Sequence, residues 1–238
     1  MRLDQSIKIF ADCADLAALL SAAKDPSIAG FTTNPTLMRK AGVSDYTAFA
    51  HTLLEAIRDR PVSFEVFADE FDEMARQAKT IAAWGPNVYV KVPITNTRGD
   101  SALALVRELS TGAGIQLNVT AICTLSQVRG ATEALMGGAN AIVSVFAGRI
   151  ADTGRDPMPM MKEARALCDA SGGSAELLWA SPREVLNIIQ AQQSGAHIIT
   201  VPPEMLKKAA LFGKDLDEYS LETVRMFHRD AEGAGYKL

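Results

Sequence analysis

The sequence predicts an α/β chain of the (β/α)8 barrel class with one extra helix at its C-terminal end. Short apolar runs alternate with segments of helical spacing eight times, at a mean period of about 27 residues, as in a barrel of ordinary size. The runs carry almost no polar face, which suits strands covered on both sides. A doubly wound sheet, the competing arrangement, usually has about five to seven strands and a glycine-rich first turn. The first turn here reads Asp12-Cys13-Ala14-Asp15.

The elements follow in order. A strand over 7–11 and a helix over 15–23 form the first unit. The second has a strand at 30–34, a loop with Pro35 and a helix at 46–58, and the third a strand at 62–67 and a helix at 70–83. The fourth strand, 88–93, reads Val-Tyr-Val-Lys-Val-Pro and precedes a helix over 101–110. A fifth strand at 115–122 leads to a helix over 124–136, with the Thr124 hydroxyl as its N-cap. The sixth strand, 141–146, is separated by a loop holding Gly148, Gly154 and Pro157 from a helix at 158–170. A seventh strand at 175–180 precedes a helix at 183–193, and an eighth at 198–201 precedes one at 204–211. After a Gly-Lys-Asp break, a last helix over 216–231 has no strand to cover and is expected to pack across the barrel mouth or onto a neighbouring subunit. No linker or composition shift marks a boundary, so 1–238 reads as one barrel domain with 215–238 as a helical extension.

Composition narrows the function. A chain of 238 residues, 48% hydrophobic, can bury a full core. A net charge of -4 and a pI near 5.5 argue against a nucleic-acid partner, which requires a basic stripe. No apolar stretch is long enough to span a membrane, and residues 1–5 lack the apolar core of a signal peptide, so the expected location is the cytoplasm. Cys13, Cys123 and Cys168 are odd in number and far apart, which fits reduced and mostly buried thiols. His51, His197 and His228 show no ligand spacing, so metal chemistry is not expected, and His197 is the one of the three that could face the barrel.

Lys91 is the residue that needs explaining. An ammonium inside an apolar, β-branched strand requires either a partner or a reason to shed its proton. Barrels build their sites at the C-terminal strand ends, and polar residues recur there: Asp12, Thr32 with Asn34, Glu65, Lys91, Asn118 with Thr120, Ser144, and Ser181. Every strand but the eighth contributes. Period-two alternation puts Asn118 with Thr120, and Ser144 with Phe146, on one face that must point inward. An amine among two carboxylates and several hydroxyl and amide groups can attack a carbonyl, form a Schiff base and move protons. Arg149 after the sixth strand and Ser181-Pro182-Arg183 at a predicted helix start suggest an anionic substrate, with free N–H groups, a hydroxyl and guanidinium groups to receive it.

These residues together resemble the transaldolase family. The resemblance lies in Ala11-Asp12, the segment 31–36 reading Phe-Thr-Thr-Asn-Pro-Thr, Phe64-Glu65-Val66, Val90-Lys91-Val92-Pro93, Leu117-Asn118-Val119-Thr120, the segment 144–149 reading Ser-Val-Phe-Ala-Gly-Arg, and Ser181-Pro182-Arg183. It implies a metal-free, class I mechanism in which Lys91 captures a ketose phosphate as a Schiff base. By matching position, Asp12 handles the proton of the hydroxyl at the cleaved bond, and Glu65 acts as acid and base through a water held with Thr120. Asn34, Asn118 and Ser144 then bind substrate hydroxyls or the imine region, and Arg149, Ser181 and Arg183 bind the phosphate. A fructose-6-phosphate aldolase branch of the family carries glutamine and tyrosine where this chain has Glu65 and Phe146. Pro182 and Val145 depart from the family pattern, which leaves open a relative acting on a sulfonated sugar such as 6-deoxy-6-sulfofructose. An aldolase and a non-catalytic phosphosugar-binding barrel are the other readings. The resemblance further implies a homo-oligomer, a pentamer or decamer.

Overall fold

Apolar, β-branched runs that must be covered on both faces close here into a parallel barrel. Its strands are β1 (Lys8–Asp12), β2 (Ile28–Thr32), β3 (Val62–Glu65), β4 (Val88–Pro93), β5 (Leu117–Ile122), β6 (Ala141–Val145), β7 (Ala175–Trp179) and β8 (Ile198–Val201), in sequence order with β8 returning to β1. The computed structural model describes residues 7–237. Residues 1–5, whose sequence lacks the apolar core of a signal peptide, lie outside them, as does residue 238 of the proposed extension.

The helices are α1 (Leu16–Ala22), α2 (Pro35–Lys40), α3 (Tyr46–Ala56), α4 (Phe71–Ala82), α5 (Leu103–Arg107), α6 (Leu125–Leu135), α7 (Ala147–Asp152), α8 (Met158–Ala170), α9 (Leu186–Gln193), α10 (Pro203–Lys208) and α11 (Leu216–Ala234), and α5 runs on into a π turn over Glu108–Gly112. The expected Thr124 cap is present as a full capping box with Gln127.

Three expectations are corrected. The loops expected around Pro35 and Gly148 each hold a six-residue helix, α2 and α7, too short to show a periodic pattern. α2 starts at a proline behind an asparagine cap, since the Asn34 side chain accepts from the Leu37 N–H at 2.9 Å. The helix expected from 183 begins at Leu186, because the Asn187 side chain takes the N–H groups of Arg183 and Glu184 at 2.7 and 3.2 Å.

Two apolar layers set the floor and walls. Between strands and helices lies the larger, with Phe31, Leu53, Phe64, Met74 and Trp179 fully buried. Inside the barrel Phe10, Ile142, Leu178, Ala180 and Ile198 form a smaller apolar cluster. Phe10 needs the glycine at position 30, where a Cβ would come within 2.5 Å of its ring. Among the described residues no helix is long and apolar enough to cross a membrane.

Candidate active site

Period-two alternation carries the chain from this apolar floor to a polar layer. Two positions beyond Phe10, Tyr89, Ile142 and Ile198 stand Asp12, Lys91, Ser144 and Thr200, all facing one cavity of about 470 Å³ at the C-terminal end of the barrel. Every residue picked out from the sequence for the site lines this cavity except Arg183. The eighth strand does contribute, through Thr200, which correction the alternation from Ile198 would have allowed.

Lys91 has a partner. Glu65, Lys91 and Asn118 lie abreast on β3, β4 and β5. The Lys91 Nζ is 3.2 Å from Glu65 Oε2 and donates to the Thr33 carbonyl at 2.9 Å, and the residue is 7% exposed. A charge so placed is tolerated because a carboxylate and a carbonyl receive it. The Asn118 amide is fixed at both ends: Nδ2 donates to Ser63 Oγ at 3.1 Å, and Oδ1 accepts from Ser144 Oγ at 2.6 Å. Ser63 escaped the sequence reading, although it stands two positions before Glu65.

Asp12 sits abreast of Thr32, whose hydroxyl donates to Asp12 Oδ1 at 2.8 Å. Burial pushes the Asp12 carboxyl above its ordinary value; Lys91 and the Thr32 hydrogen bond oppose this, while Glu65 and Glu204 add to it. The Thr120 hydroxyl is buried and has no protein partner among the described residues. It precedes Ala121, at φ 62° in the β5 bulge. Ser181, at φ 61°, is the other described non-glycine residue in the left-handed region, and both line the cavity. Backbone strain thus gathers at the site.

At the anion end, the Arg149 guanidinium lies over the Phe146 ring, 5.3 Å from its centroid. Arg183 is otherwise engaged. Its Nε and Nη2 bind the two Asp152 carboxylate oxygens at 2.8 and 2.6 Å, and Nη1 reaches the Ser181 hydroxyl and carbonyl at 2.8 and 3.1 Å. With the N–H groups of Arg183 and Glu184 capped by Asn187, the cradle expected at 181–183 is reduced to Ser181 and whatever Arg183 can redirect. Cys123, expected among buried thiols, is exposed and lines the cavity, whereas Cys168 is buried. His197 is structural, with Nδ1 accepting from the Leu177 N–H at 2.9 Å.

A model of the family described as transaldolase/fructose-6-phosphate aldolase matches residues 9–238. A protein of Streptococcus agalactiae named probable transaldolase is 35% identical over 217 residues, covering 91% of this chain and 95% of its own. One of Listeria monocytogenes named probable transaldolase 2 is 37% identical over 204 residues, covering 85% and 88%. Among solved structures, an HpcH/HpaI aldolase/citrate lyase family protein from Burkholderia cenocepacia superposes with a TM-score of 0.56 at 14% identity, covering 93% of this chain and 95% of its own. A solved aldolase designated QR15 gives 0.54 at 12% identity, covering 90% and 100%. At those identities the likeness concerns the fold.

Proposed function

The chain belongs to the transaldolase/fructose-6-phosphate aldolase family, and from that premise we propose that it is a transaldolase moving a three-carbon dihydroxyacetone unit from a ketose phosphate to an aldose phosphate. The observation that carries this reading is the buried Lys91 amine, held 3.2 Å from the Glu65 carboxylate in a polar cavity. Lys91 passes a proton to Glu65 and adds to the C2 carbonyl of a donor of the fructose 6-phosphate type. Loss of water leaves an imine, whose nitrogen is the electron sink, so no cofactor is required. Asp12 removes the proton of the C4 hydroxyl, the C3–C4 bond breaks, an aldehyde leaves, and an enamine of the three-carbon unit stays on Lys91. The enamine attacks the carbonyl carbon of the acceptor, Asp12 returns the proton, and water frees the new ketose with help from Glu65 and Thr120.

Thr32 orients Asp12, Asn34, Asn118 and Ser144 bind substrate hydroxyls, and Arg149, Ser181 and Arg183 receive the phosphate. Transfer is favoured over simple cleavage because the ring of Phe146, on the cavity wall, offers no proton to the enamine carbon and limits water beside it. We read the protein as one barrel domain, cytoplasmic, and assembled as a homo-oligomer through α11.

Reduction with borohydride in the presence of fructose 6-phosphate should add the three-carbon unit to the peptide containing Lys91, and Lys91→Met should abolish both adduct and turnover. An adduct on another lysine would overturn the assignment. With erythrose 4-phosphate the exchange should be fast, and without it dihydroxyacetone release should be slow; equal rates would make the protein an aldolase.

A further inference from the structure

Glu65 is the last residue of β3, and it lies past the reach of β2. The β2–β3 ladder consists of Phe31↔Val62 and Thr32↔Ser63, after which the chain leaves the sheet through Asn34 into α2. Along a strand, alternate residues direct N–H and C=O to the same neighbour, so Ser63 and Glu65 both face the β2 side. Ser63 is satisfied there, its carbonyl accepting from the Thr33 N–H at 3.1 Å. Among the described residues Glu65 has no backbone partner left on that side.

One phenol takes both places. Tyr46 Oη donates to the Glu65 carbonyl at 2.9 Å and accepts from the Glu65 N–H at 2.9 Å. Tyr46 opens α3, whose start is set by Asp45 capping the Ala48 N–H at 2.9 Å. Its ring is wedged among Phe64, Phe67 and Trp84 at centroid distances of 6.3, 5.7 and 5.8 Å, so packing fixes where the hydroxyl points. Burial, reinforced by the Glu65 carboxylate, pushes the phenol well above its ordinary value and keeps its proton available for donation. On its other side β3 is tied to the lysine strand, the Val66 N–H donating to the Lys91 carbonyl at 3.0 Å.

We propose that Tyr46 is a positioning residue for Glu65: its hydroxyl replaces the missing rung of β2 and fixes the backbone from which the Glu65 carboxylate reaches Lys91. This rests on the reading of Glu65 as the acid–base group of the Lys91 imine. General acid–base catalysis contributes roughly 10²- to 10⁴-fold, so partial misplacement should lower kcat by about ten- to a hundredfold.

The test is a double-mutant cycle on the full chain, read as kcat and KM for fructose 6-phosphate with erythrose 4-phosphate. Tyr46→Phe keeps the ring and its packing. It should reduce kcat with KM little changed, and it should have no further effect in a Glu65→Gln background. An equal loss in both backgrounds, or no loss of kcat in Tyr46→Phe alone, overturns the proposal while leaving the role of Glu65 intact. If Glu65→Gln itself leaves turnover unchanged, the acid–base reading fails and the proposal with it. Thermal midpoints of all four proteins separate a folding defect from the positioning effect.

Discussion

Asp12 is a carboxyl group kept where its charged form is disfavoured, because burial outweighs the help of Lys91 and Thr32. Its folded pKa lies above the unfolded value of about 3.9, so the native state holds the proton more tightly. Native stability therefore falls as pH rises from the unfolded pKa through the folded one. Asn at this position keeps an oxygen to accept from Thr32 and removes the charge. Asp12→Asn should raise the thermal midpoint at pH 7, the gain should vanish as pH is lowered through about 4, and transfer should be lost. Melting curves across pH check this, and a gain independent of pH would refute it.

At the scale of elements, the decisive junction is where α7 meets the end of β7. A Cβ on Gly148 would fall 1.6 Å from the Ser181 carbonyl oxygen, so only glycine lets α7 come this close. Arg183 then links the two pieces, holding Asp152 at the end of α7 and Ser181 beyond β7. On the proposed assignment, Arg183→Ala removes one guanidinium that would receive the phosphate and also leaves the Asp152 carboxylate without its Arg183 partner. A charge-assisted contact is worth roughly 10- to 100-fold in affinity, so KM for fructose 6-phosphate should rise by at least that much. Adding Asp152→Ala should recover part of the loss, since the repelling charge is then gone. A double variant worse than Arg183→Ala would show that Asp152 serves the anion in another way.

For the whole molecule the question is α11. It is 19 residues long with none buried, and Leu216 and Phe227 are 78% and 62% exposed. Leu216, Tyr219, Val224 and Phe227 recur at helical spacing and form an apolar stripe. In proteins a helix draws most of its stability from packing an apolar face, and covering each such side chain contributes about 1.5–3 kcal/mol. A second copy of the chain is the proposed cover. Deleting 215–238 should lower the molecular mass measured by light scattering while the circular dichroism of the barrel persists. An unchanged mass would remove α11 from the assembly.

The barrel and its polar mouth were legible in the sequence because both follow from local pattern. Eight buried strands must be apolar throughout, and period two dictates which residues share a face, so Asp12, Glu65, Lys91, Asn118 and Ser144 could be grouped without coordinates. The same rule reached Thr200 and Ser63, although neither was drawn from it. Where the polar groups find their partners was decided only by tertiary structure, because those contacts join residues distant in the chain. Tyr46 meets the Glu65 backbone because β2 ends short of it, and no periodicity in either segment records that ending. Asp152 holds Arg183 because Gly148 lets two elements touch, so the proposed phosphate ligand is braced before any anion arrives. Short-range pattern determined which side chains enter the cavity; long-range packing determined which of them are already spoken for.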